Sequence, residues 1–202
     1  MSTQQNDEVE LQLRYLQIAR DALLWKLEGL GEYDIRRPMT PTGTNLLGLV
    51  KHVASVEYGY LTQCFGRDAG IVTPWMDDDS ADNADMWATA EESREQIVSL
   101  YRQAWASDDA AVRELGLDAT GTVPWWGERG QHVTMRHLLV HVTAETNRHA
   151  GHADIVREMI DSSAGLRETA ANLPSQDEGW WVNYVETLER AAREADRDPA
   201  AG

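Results

Sequence analysis

Apolar side chains recur every three or four positions through most of this chain, and no hairpin pattern of alternating residues bounded by Asn-Gly or Asp-Gly occurs. Leu11, Tyr15, Ile18, Ala22 and Trp25 step in this way, which predicts a first helix over about residues 7–30 with that stripe buried. Leu46, Leu49, Val53, Val56 and Tyr60 predict a second helix over about 45–65, ending near Gly66. Thr89 and Glu92 form a capping-box pair ahead of Ile97, Leu100, Tyr101 and Ala104, the mark of a third helix. A short helical piece near 109–115 extends it. Thr134 is placed to cap a fourth long helix that ends near Asp161, before "SSAG". Ser175 and Glu178 suggest the cap of a fifth, "GWWVNYVETLERAAREAD". The tail, residues 197–202, is expected to fray.

Four long amphipathic helices and one more define an all-α fold, a four-helix bundle with an additional C-terminal helix and long connections. At 202 residues the chain suits one domain, with its core over about 8–190. The connections "GEYDIRRPMTPTGT", "RDAGIVTPWMDDDSADNAD" and "GLDATGTVPWWGERGQHV" leave room for crossovers and for a ligand mouth.

Charge narrows the classes of function. The formal net charge is −16 and no basic block occurs, which argues against a nucleic-acid partner. No apolar run approaches the length of about 18 residues that a bilayer crossing requires. The amino terminus, "MSTQQNDEVE", lacks the basic and apolar parts of a secretory signal. The lone Cys64 has no partner for an internal disulfide, so a cytoplasmic location is expected.

The fourth helix carries the unusual chemistry. Its seam reads Leu138, Val142, Glu145, His149, His152, Val156, Met159, in steps of four and three. That register places a carboxylate and two imidazoles at positions where apolar residues belong, and burying such groups is costly without a partner. Glu145 and His149, four residues apart, project from adjacent turns and can close on one metal ion. His52, flanked by Leu49 and Val56 on the second helix, is the natural third ligand. A buried hydrogen-bonded Glu145–His149 pair and a satisfied core His52 are the competing readings. His152 is read as a catalytic-site residue beside the ligands rather than as a fourth ligand. His137 and His141 are read as mouth or structural residues. Arg148, next to His149, and Trp125 and Trp126, in the loop before the helix, are candidates for substrate contacts; a surface ion pair and a cap on the bundle core are their plainer roles. Asp154, Arg157 and Glu158 fit helix-to-helix salt bridging.

The stretch "VPWWGERGQHVTMRHLLVHVTAETNRHAGHADIVREMID", together with "TNLLGLVKHVASVEYGYL", resembles the DinB/YfiT-like metal-binding bundles. It is most similar to their branch of mycothiol-dependent S-transferases. The resemblance implies a DinB-like domain with a divalent metal held by His52, Glu145 and His149: zinc first, with nickel or iron(II) as alternatives. The family majority has histidine where Glu145 stands, and the glutamate is similar to the pattern of mycothiol-dependent maleylpyruvate isomerases. It also implies mycothiol as thiol cosubstrate.

The function expected on this basis is a metal-dependent transferase. A low-molecular-weight thiol, activated as a metal-bound thiolate, attacks an electrophile. Three protein ligands leave a coordination position open, as in catalytic zinc sites. The partners are then a small thiol and a small electrophile, with a homodimer as a compatible assembly. A non-catalytic metal- or ligand-binding stress protein and a metal-assisted hydrolase are the alternatives. Cys64, near a helix end, is read as a small packed hydrophobe rather than a nucleophile.

Overall fold

The computed structural model describes residues 3–77, 79–168, 170–175 and 177–197. Six helices run in the order α1 (Thr3–Trp25), α2 (Glu32–Arg36), α3 (Leu46–Leu61), α4 (Arg94–Leu115), α5 (Met135–Asp161) and α6 (Glu178–Arg197). A two-residue antiparallel pair, β1 (Thr120–Gly121) with β2 (Val133–Thr134), closes the loop that leads into α5. The fold is all-α, as expected. Among the described residues no helix is long and apolar enough to cross a membrane. The tail expected to fray lies, from residue 198 on, outside the described residues.

Four helices make the bundle. The α3 helix is central, buried on nearly every side, and packs against both α4 and α5, while α1 lies chiefly along α5. Asn45 caps α3 by accepting from the Gly48 amide. Thr134 caps α5 through the His137 amide, and Ser162 ends it in the left-handed region at φ 63°. The α4 helix opens at Arg94, not beside Thr89. Ser93 and Gln96 form a reciprocal capping box, and Glu92 instead accepts from the Thr89 amide in the approach. It continues unbroken to Leu115, so the expected short extension is part of it. Asp177, not Ser175, accepts from the Trp180 amide at the start of α6.

Two buried stripes differ from those expected. On α1 the buried stripe runs Val9, Leu13, Leu16, Arg20 and Leu23, flanked by buried Ala19 and Ala22; of the expected stripe Ala22 is buried, whereas Leu11 and Tyr15 are exposed. Steps of four and three fit both stripes, but the true one carries a charged member, which disguises it. On α5 the expected Leu138, Val142, His149 and Val156 are buried, but Thr146 and Ala153 take the buried places expected of Glu145 and His152. Glu145 is therefore only half-buried, and His152 and Met159 are exposed.

The core falls into two clusters. One gathers Leu13, Leu16, Leu61, Val112, Leu138 and Val142, the other Leu23, Leu46, Val50, Val53, Tyr101 and Val156. Between them lies a polar waist. The Glu57 carboxylate, fully buried, accepts from Arg20 Nε at 2.8 Å, Tyr101 Oη at 2.7 Å and Thr146 Oγ1 at 3.0 Å. Arg20 also reaches Asp109 at 2.8 Å, and Asp108 accepts from Thr62 Oγ1 at 2.6 Å. Burial opposes the Arg20 charge, yet Glu57 and Asp109 more than offset it and hold the guanidinium firmly protonated.

Candidate metal centre

The polar waist continues to the surface at the α3–α5 face, where the histidine helix meets His52. One ligand-type atom from each of His52, Glu145 and His149 lies within 4.8 Å of the others. The His149 Nε2 sits 3.0 Å from Glu145 Oε1, and the His52 and His149 rings meet edge to face with centroids 4.7 Å apart. Two residues arrive from one helix because positions i and i+4 stack on adjacent turns; the third arrives because α3 and α5 pack side by side. Thr146, between the two α5 residues, donates to Glu57 on α3 and so ties these two helices together at this level.

The environment favours neutral imidazole at His149. Burial pushes its pKa below the ordinary histidine value, and the nearby His52 adds to this, while Glu145 pulls the other way. The site is not sealed: the side chains of His52 and Glu145 are 19% and 33% exposed, against 9% for His149. Two imidazoles and one carboxylate gathered at a partly exposed rim form a donor set that could hold a divalent ion.

The remaining candidates lie around this triad. The exposed His152 places Nδ1 3.4 Å from His149 Nδ1, so it touches a triad residue without joining the triad. Arg148 is exposed and forms no ion pair among the described residues. Trp125 and Trp126 both donate their indole N–H to Tyr60 Oη, at 2.9 and 3.0 Å. Tyr60 stands two helical turns, about 12 Å of helix rise, from His52 on α3. His141 packs edge-on against Tyr60 and Trp126, and His137 lies against Trp126, which makes an aromatic and imidazole wall on the same side of α5. Burial also lowers the pKa of His141. His132 is exposed in the loop.

Asp85 was not legible in the sequence. It sits in a turn of the long connection between α3 and α4, with Oδ2 2.6 Å from His52 Nδ1. That hydrogen bond is the main reason its carboxyl titrates below the usual range. It is one acidic residue among many in "DDDSADNAD", and no spacing rule distinguishes it. Of the three residues expected to bridge helices, Asp154 pairs with the buried Lys26, just past the end of α1, at 2.9 Å; the ion pair of Arg157, with Asp161, stays within α5 while its guanidinium also donates to the carbonyls of Lys26 and Glu28, and Glu158 forms no ion pair among the described residues. Cys64 is buried, and burial pushes its thiol up to about 11, which removes it as a nucleophile at neutral pH.

Fold and site together define a helical bundle with a two-histidine, one-carboxylate donor set of the kind that holds a divalent metal. A family model described as mycothiol-S-transferase matches residues 12–162, and the chain belongs to that family. Neither the curated proteins nor the solved structures include a match to it. The matched span runs from within α1 to the end of α5 and stops short of α6.

Proposed function

We propose that this protein is a metal-dependent transferase that joins a low-molecular-weight thiol, mycothiol in kind, to a small electrophile. The observation that carries the reading is the convergence of His52, Glu145 and His149, three ligand-type side chains from two helices, at a partly open rim. The family membership supports the thiol.

His52, Glu145 and His149 would hold the ion, zinc first. A divalent ion there would supply positive charge that keeps a thiol sulfur deprotonated at neutral pH. The chain's own contribution is electrostatic and positional. One carboxylate among the donors leaves the site about one charge positive, which favours an anionic sulfur over a neutral ligand. Burial disfavours a charged His149, and the neutral ring would have one lone-pair nitrogen to offer an ion. His152 borders the site from solvent and can take up a proton released by the incoming thiol. Trp125, Trp126, Tyr60 and His141 form the wall against which the body of a substrate would rest. Arg148, exposed and without an ion pair among the described residues, would attract an acidic group on one of the two substrates.

Elemental analysis of protein purified without added metals should find about one equivalent of a divalent transition metal. Turnover should require both the thiol and the metal. Glu145→Ala should lose the metal while keeping its helical circular dichroism, because Glu145 is half-exposed and outside the core. Full metal content in that variant would refute the ligand assignment. Activity that survives a chelator would refute the mechanism, and turnover without thiol would point to hydrolysis instead.

A further inference from the structure

The contact between His52 and Asp85 asks for an explanation. Both side chains are about four-fifths buried, and the 2.6 Å separation is short for a nitrogen–oxygen hydrogen bond. A carboxylate at neutral pH carries no hydrogen, so the shared proton must sit on His52 Nδ1. Neutral imidazole has only one N–H. Engaging Nδ1 as a donor therefore leaves Nε2, across the ring, as the lone-pair nitrogen.

The loop that brings Asp85 is held independently of this contact. Lys51, next to His52 and buried, donates to the Trp87 carbonyl at 2.9 Å and pairs with Glu92 at 2.8 Å. Asn45 Nδ2 donates to the Met86 carbonyl at 3.1 Å, and Arg36 donates to the Thr89 and Glu92 carbonyls. Gly48 lets the Met86 carbonyl lie directly on α3, where any Cβ would collide with it. With the segment from Met86 to Glu92 clamped at several points, the fold does not require a histidine–aspartate pair to anchor it. What the pair does determine is the state of the imidazole.

We infer that Asp85 is a positioning residue for the candidate metal centre: it fixes His52 as the Nδ1–H tautomer, locks the ring, and leaves Nε2 free to bind a metal ion. The inference rests on the metal reading proposed above and extends it to a residue outside the ligand set. Metal-binding histidines commonly give their second nitrogen to a carboxylate in this way, and losing such a partner costs about 10–100-fold in metal affinity.

Two measurements test it. In metal-free protein, nitrogen-15 two-bond correlation spectra, with the His52 signals assigned against His52→Asn, should show Nδ1 protonated and Nε2 bare. In Asp85→Ala the Nε2–H form should become populated. In the second measurement, Zn2+ affinity by competition with a chelator should fall about 10–100-fold in Asp85→Ala. It should fall less in the isosteric Asp85→Asn, which keeps an acceptor oxygen without the charge, and recover in part in Asp85→Glu. Thermal melts monitor folding, and Asp85→Asn carries the test if the alanine variant is unstable. An unchanged tautomer and unchanged Zn2+ affinity in Asp85→Asn and Asp85→Ala, with wild type binding Zn2+, overturn this inference and leave the metal reading standing. Failure of the wild type to bind Zn2+ overturns both.

Discussion

Neighbouring residues on α5 have separate duties. Thr146 is fully buried and spends its hydroxyl on Glu57, holding two helices together. Glu145, one position earlier, leans toward the rim with a third of its side chain exposed, where its charge can serve a ligand at small desolvation cost. Asp108 shows what full burial does to the same functional group. Burial above all, with the nearby Glu57 charge, drives its pKa well above the ordinary value, and Oδ2 has no hydrogen-bond partner among the described residues. A carboxyl whose folded pKa is raised favours the fold below its unfolded pKa, about 3.9, and that benefit is lost as pH rises toward the folded value. Asp108→Asn, which keeps the shape without the charge, should therefore be more stable than wild type at pH 7–8. The difference should shrink as the pH is lowered toward about 4. Thermal melts at several pH values would detect it, since each kcal/mol moves the midpoint by about 2–4 °C in a chain of this size. A gain that grows toward acid pH would contradict a raised Asp108 pKa.

At the level of elements, α3 and the connection that follows it behave as one unit. The α3 helix supplies His52, Lys51 and Gly48 on turns that face the returning loop, and the loop supplies Asp85, Trp87 and Glu92. Gly48→Ala would force the Met86 carbonyl away from the helix and carry Asp85 with it. We expect a loss of about 1–3 kcal/mol in denaturant melts, typical of overpacking, together with weaker metal binding. Normal Zn2+ affinity in a destabilised Gly48→Ala protein would show that the seating of this loop does not control the site.

The whole molecule sets a polar waist between two apolar clusters and opens the candidate site where that waist reaches the surface. The α6 helix stands apart from this arrangement. Its side chains from Glu178 to Asp196 are exposed, apart from Trp181, which is half-buried, and the family match ends before it. A chain ending at residue 175 should keep the helical bundle, its melting temperature and its metal content. A large drop in any of these would show that α6 stabilises the bundle or the site. The formal charge of −16 gives a surface that repels anions, screened by salt, so an anionic thiol would be drawn to a cation held at the candidate site rather than to the surface.

Helical periodicity, caps and the spacing of Glu145 and His149 are local properties, so the sequence alone determined the all-α class, the limits of α5 and the three candidate ligands. Its account of which face is buried was less secure. Steps of four and three admit two adjacent registers, and on α1 and α5 the true one contains Arg20 and Thr146, whose burial depends on Glu57 from another helix. Only the tertiary structure decided that His152 faces solvent, that Ser93 rather than Thr89 caps α4, and that Asp85 reaches His52. Those outcomes depend on which surfaces meet across long connections, and a contact between residues 33 positions apart leaves no period in the chain.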